Sequence, residues 1–99
     1  MISIYTTCAD KKEAKKIADI LLKKRLIACA NLFPIESRYW WKGKLESGKE
    51  YALLMKSKDK SKEIISEIEK NHSYEVPIIS IKKIKVSKKT EKWIKKEVK

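Results

Sequence analysis

Residues 25–56, RLIACANLFPIESRYWWKGKLESGKEYALLMK, read as two long strands joined by one tight turn. An aromatic run and a second strand-like run flank Lys42-Gly43, and the glycine supplies the positive φ that a two-residue hairpin turn needs. Pairing Trp41 with Lys44 fixes the register, with Ser37 opposite Gly48, Pro34 opposite Tyr51 and Cys29 opposite Lys56. Gly48 inside a strand suggests a bulge, and Pro34 cannot donate to a ladder, so a kink is expected between a root and an outer arm. Ala28 to Trp41 spans fourteen residues, about 46 Å when fully extended, whereas a compact domain of this length is roughly 32 Å across. The outer arm, from about Ile35 to Lys49, must therefore project. Its tip would expose Tyr39, Trp40, Trp41 and unpaired strand edges, which monomers rarely tolerate. An arm that strand-pairs with a neighbouring subunit answers both problems; the competing arrangement curls the hairpin back over its own sheet.

The remaining chain supplies what packs around this hairpin. Ile2 to Thr7 is a short strand with Ile2 and Ile4 on one face. Asp10 followed by Glu13 resembles a capping box. Ala14, Ile17, Ala18, Leu21 and Leu22 then make a buried helical stripe, with Lys12, Lys15, Lys16, Asp19 and Lys23 on the wet face. After root strands Ala28 to Phe33 and Glu50 to Lys56, Asp59 or Ser61 caps a second helix with Ile64, Ile65 and Ile68 inward. It ends near Asn71. His72 to Pro77 is a loop, Ile78 to Ile84 a strand, and Ser87 or Thr90 caps a last helix on which Trp93, Ile94 and Val98 mark one docking side. The order β-α-β-β-α-β plus a terminal helix predicts an α+β fold, a single ferredoxin-like split β-α-β domain over residues 1–99. Right-handed crossovers put both main helices on one sheet face, leaving the other to be covered by another copy of the chain.

At 99 residues and 42% hydrophobic the chain forms one domain with a modest core. No apolar run approaches the ~20 residues of a membrane span, and MISIYTTCADKK lacks the basic-then-apolar order of a signal peptide, so no membrane and a cytoplasmic location are expected. The net charge is +12, yet of 25 basic residues only Arg25 and Arg38 are arginine. Base and phosphate recognition leans on the arginine fork, and these lysines are scattered over every segment, so a solvated cationic surface without specific nucleic-acid binding is expected. Cys8 and Cys29 form no CxxC pair and belong at opposite ends of the sheet, too far apart for a disulfide. A soft-metal carrier would present paired cysteines in the first loop, where Thr6-Thr7-Cys8-Ala9 offers one. His72 is the only histidine. No nucleophile-base pair, phosphate loop or carboxylate pair signals catalysis, so the chain is not read as an enzyme.

Several motifs together carry a resemblance: Arg25-Leu26-Ile27-Ala28-Cys29-Ala30-Asn31, Tyr39-Trp40-Trp41-Lys42-Gly43-Lys44, the Glu50 to Lys56 strand, His72-Ser73-Tyr74-Glu75-Val76-Pro77 and Trp93. In order and over nearly the whole chain they closely resemble the CutA family of divalent-cation tolerance proteins. The resemblance implies a PII-like homotrimer built by strand pairing, with Tyr39, Trp40, Trp41 and Trp93 at the interface, and a part in tolerance of copper and other divalent metals. It implies no known reaction and no obligatory cofactor. Where the family's loop commonly reads His-Pro-Tyr-Glu-Val-Pro-Glu, Ser73 and Ile78 replace the proline and the second glutamate, removing one hard-metal ligand. Two ligand readings follow for clefts between subunits. In one, Cys29 and His72 bind copper or another divalent metal, a thiol and an imidazole suiting copper or zinc better than magnesium or calcium. In the other, Arg25, Lys56, Tyr74 and Glu75 bind a small anionic metabolite as in a regulatory module, and metal tolerance is indirect.

Overall fold

A computed structural model describes residues 1–99. Strand β1 (Ile2–Cys8) alternates over its first half, with Ile2 and Ile4 buried and Ser3 and Tyr5 half-buried, and is buried on both faces from Thr6 to Cys8. Helix α1 (Lys11–Lys23) begins at Asp10, whose side chain accepts the Glu13 amide at 2.9 Å. Ala14, Ile17, Ala18 and Leu21 are its buried stripe. Leu22, expected with them, is 37% exposed, because at 100° per residue it falls about 40° beyond Ala18, outside the edge of the stripe. Strands β2 (Cys29–Trp41) and β3 (Lys44–Ser57) form the long hairpin, α2 (Ser61–Asn71) crosses back, and β4 (Ile79–Lys83) and α3 (Lys88–Glu97) complete the chain. The sheet order is β2-β3-β1-β4, antiparallel throughout.

The hairpin has the expected register, Trp41 opposite Lys44, Pro34 opposite Tyr51 and Cys29 opposite Lys56. Its turn places Lys42 at φ 51 and Gly43 at φ 78, both positive as a type I′ turn requires, with the Lys42 ammonium 5.6 Å from the Trp41 ring centre. No bulge interrupts it. Ser37 sits opposite Gly48 in an unbroken ladder, and Pro34 is accommodated because β2 is the outermost strand. The arm projects: the molecule measures 44 × 23 × 22 Å with a radius of gyration of 14.0 Å, against roughly 12.6 Å for a compact chain of this length. Trp40 is 73% and Leu45 65% exposed at the tip.

One core joins both helices to one sheet face: Ala14, Ile17, Ala18 and Leu21 of α1 and Ile64 and Ile68 of α2 meet Ile2, Ile4, Leu53 and Met55. On the opposite face Tyr5, Phe33 and Leu54 remain partly exposed. Helix α2 has no side-chain cap. Lys60 takes the cap position, and Asp59 bonds Ser61 one residue too early to serve. Ser87 caps α3 by accepting the Thr90 amide, and Ile94 and Val98 are buried while Trp93 stays 43% exposed. Ile78 lies outside β4 and is exposed.

Candidate functional site

The densest polar cluster forms where β1 ends. Cys8 closes the strand, Asp10 opens α1, and the second crossover delivers His72 to the same place. The Glu13 carboxylate holds both segments: Oε1 accepts the Ala9 amide at 3.0 Å and Oε2 the Ser73 amide at 2.8 Å. Burial acts to raise the Glu13 carboxyl, but the bonds from Ala9 and Ser73 and the nearby His72 outweigh it and hold it below the usual carboxylate range.

The His72 side chain is fully buried. Its Nδ1 accepts the Tyr74 amide at 3.1 Å, so Nε2 carries the proton and donates to the Thr7 carbonyl at 2.8 Å. Tyr74 packs on this ring, centroids 4.8 Å apart, and its hydroxyl donates to Glu50 Oε2 at 2.6 Å. Burial first, then the Glu50 bond, raises the Tyr74 hydroxyl above the ordinary tyrosine range. The loop is thereby tied to the hairpin root, where Glu50 pairs with Ile35. Cys8, Glu13 and His72 bring a sulfur, a carboxylate oxygen and a ring nitrogen within 4.8 Å of one another. Burial pushes the Cys8 thiol up to about 12, and the carboxylates of Glu13, Glu50 and Asp10 add to the effect. It is therefore protonated and a poor nucleophile at neutral pH. Beside the cluster, an open cleft of about 490 Å³ separates the start of α1 from the hairpin root, with Asp10 and Glu50 on its walls.

The other sequence-derived candidates lie elsewhere. Cys29 and Lys56 face each other at the far end of the sheet, level with Ser3, about 13 Å along β1 from Thr7 and two strands across. Within one chain, then, Cys29 and His72 do not meet. Arg25 is held at φ 58 in the turn after α1, its guanidinium 3.0 Å from the Glu97 carboxylate. Glu75 is exposed. Tyr39, Trp40 and Trp41 are exposed on the arm, and Trp93 on α3. From the sequence, Cys8 is a single first-loop cysteine at the end of β1 and Glu13 part of a capping box. Their shared position at the β1–α1 junction, to which any right-handed second crossover returns, was the available signal.

A family model described as CutA1 divalent ion tolerance protein matches residues 2–97. The chain belongs to the CutA1 divalent ion tolerance family. Among its relatives, the divalent-cation tolerance protein CutA of Thermotoga maritima is 45% identical over 85% of this chain and 84% of its own. The CutA structure from Archaeoglobus fulgidus, described as a periplasmic divalent cation tolerance protein, superposes with a TM-score of 0.96 at 38% identity, covering all of both chains. A PII-like protein CutA from Nostoc, in apo form, gives a TM-score of 0.92 at 26% identity over 100% of this chain and 98% of that one. The ferredoxin-like architecture with a long β2-β3 hairpin is therefore the family's own. No helix here is long and apolar enough to cross a membrane.

Proposed function

We propose that the chain acts without catalysis as a homotrimeric divalent-cation tolerance protein, taking a metal ion in clefts between subunits. The observation that carries the proposal is the arm, whose tip exposes Trp40 and Leu45 beyond a sheet with one apolar face uncovered. Strand pairing with neighbours would bury both. Cys29 and Lys56 at one end of the sheet, with Glu75 and the loop held by His72 and Tyr74 at the other, are the groups that adjoining subunits could bring together. Arg25, at the end of α1 and 3.0 Å from the Glu97 carboxylate, is a further cation that a negatively charged ligand would meet. A second reading is supported by the PII-like relative and by the half-buried Lys56: a small anionic metabolite as the ligand, with metal tolerance indirect. The cytoplasmic location expected from the sequence contrasts with the Archaeoglobus fulgidus relative, which is described as periplasmic.

Calorimetry on the full chain with copper, and with a panel of nucleotides and organic acids, separates the two readings. Copper heat lost in Cys29→Ala supports the metal cleft. Heat from an anion, lost in Lys56→Ala, supports the regulatory module and removes the first reading.

A further inference from the structure

We propose that the outer face of α3 is a docking surface for an anionic lipid bilayer, held there by charge alone and without insertion. Such docking needs neither the trimer nor a metal ion, so it stands apart from the function proposed above.

Lysines occur in every part of the chain, but their balance with carboxylates is uneven. Residues 82–99 hold nine lysines against Glu91 and Glu97, and so carry seven of the twelve net positive charges. Within α3 five of ten residues are lysine, Lys88, Lys89, Lys92, Lys95 and Lys96, and all five are exposed. At about 100° per residue they share an arc of about 120°, turned away from the buried Ile94 and Val98. Lys92 stands at the centre, with lysine at i−4, i−3, i+3 and i+4.

Nothing within the chain neutralises this face. Glu91 reaches only Lys95, at 3.8 Å, and Glu97 turns to Arg25 at 3.0 Å. Lys88, Lys89, Lys92 and Lys96 have no carboxylate within ion-pair distance. Like charges at these spacings destabilise a helix, and Lys88 and Lys89 occupy the first turn, where the helix dipole disfavours cations. A merely solvated face mixes signs, as α2 does with Lys62, Glu63, Glu69 and Lys70 exposed. On α1, Asp19 sits among the exposed Lys12, Lys15, Lys16 and Lys23. Interfaces between subunits exclude charge from their centres, so the α3 face stays outside the core of any assembly.

The chemistry of the face selects its partner. It holds no arginine fork to grip a single phosphate and no side-chain amide or carboxylate to read a base, which disfavours a nucleic acid. It offers no apolar side chain to enter hydrocarbon, since Trp93 lies about 40° beyond its edge, and no helix of the chain is long and apolar enough to cross a membrane. What remains is diffuse attraction to a surface of many negative headgroups. About four to eight basic residues on one helix mark such a surface-binding segment, and each lysine near the surface is worth about a 5-fold gain in partitioning. The five lysines of α3, followed by Lys99, meet that requirement.

The test is co-sedimentation of the intact protein with vesicles of phosphatidylcholine, alone or mixed with phosphatidylserine, at about 0.15 M salt, where distant charges are screened. Binding is expected only with phosphatidylserine. Lys89→Gln, Lys92→Gln and Lys96→Gln combined should weaken it at least about 10-fold, and glutamine keeps a helix propensity close to that of lysine. The same loss of charge on α1, with Lys12→Gln, Lys15→Gln and Lys16→Gln combined, should weaken it by no more than about 2-fold. Equal losses in the two triple variants assign the binding to net charge and overturn the proposal, as does equal binding to phosphatidylcholine alone or binding to neither vesicle. Should the α3 variant misfold, acetylation of the wild-type lysines gives a second reading: phosphatidylserine vesicles should protect Lys89, Lys92 and Lys96 more than Lys12, Lys15 and Lys16, and equal protection overturns the proposal. A single-stranded polynucleotide that binds where the vesicles do not also overturns it, and assigns the face to nucleic acid instead.

Discussion

Arg25 shows how a residue chosen for its charge can be placed by its backbone. It follows the end of α1 in the left-handed region, its amide bonding the Leu22 carbonyl while the Leu26 amide bonds Leu21, which together make a Schellman motif. Glycine is the usual occupant, and a side chain there costs about 1 kcal/mol. The ion pair with Glu97 is exposed and returns only about 0 to 1 kcal/mol. Arg25→Gly should therefore unfold in urea at nearly the wild-type midpoint, with Arg25→Ala about 1 kcal/mol less stable than Arg25→Gly. If Arg25→Ala equals or exceeds Arg25→Gly, backbone strain is not what governs this position. The sequence showed the charge but not the φ, since nothing about arginine signals a left-handed turn. Cys8 escaped for a related reason: cysteine spacing was read for a second cysteine, and its actual neighbours, Glu13 and His72, come from other elements.

Elements were the most legible level, and the hairpin most of all. A two-residue turn fixes every later pair, so locating Lys42-Gly43 located Cys29 opposite Lys56 far along the ladder. The bulge was misread because Gly48 has a second use in a strand: no atom lies within 4 Å of where its Cβ would be, so open space accounts for its tolerance there. Contacts between helices were harder to read. Lys24, just past α1, reaches Glu67 of α2 at 2.8 Å, and this bond chiefly holds the Glu67 carboxyl below its usual range. A depressed folded-state value gives stability that is present above the unfolded value of about 4.3 and lost as pH falls through the folded value. Glu67→Gln should accordingly flatten the acid side of the stability profile below about pH 4.5. Thermal unfolding from pH 2 to 7 measures this, and an unchanged acid slope would detach the helix pair from acid stability.

At the scale of the whole molecule, the sequence delivered a length that does not fit and a patch that does not belong in water. The fold alone does not resolve either, because a 44 Å molecule with Trp40 73% exposed is consistent with its own internal contacts. The two explanations separate in their energetics. If the arm stands free, truncating Trp40 removes few contacts and should change stability by no more than about 0.5 kcal/mol, the range for surface substitutions. If neighbours bury the rings, Trp40→Ala or Trp41→Ala should cost roughly 3 to 5 kcal/mol per ring, and the loss recurs in every subunit of a closed assembly. The same variants should then also dissociate on dilution, because the energy removed belongs to association and not to the subunit's own core. Sedimentation at micromolar concentration, with unfolding followed at several protein concentrations, distinguishes the cases. A wild-type species of 11.6 kDa whose stability ignores both concentration and the tryptophans would leave the arm without a partner and remove the trimer.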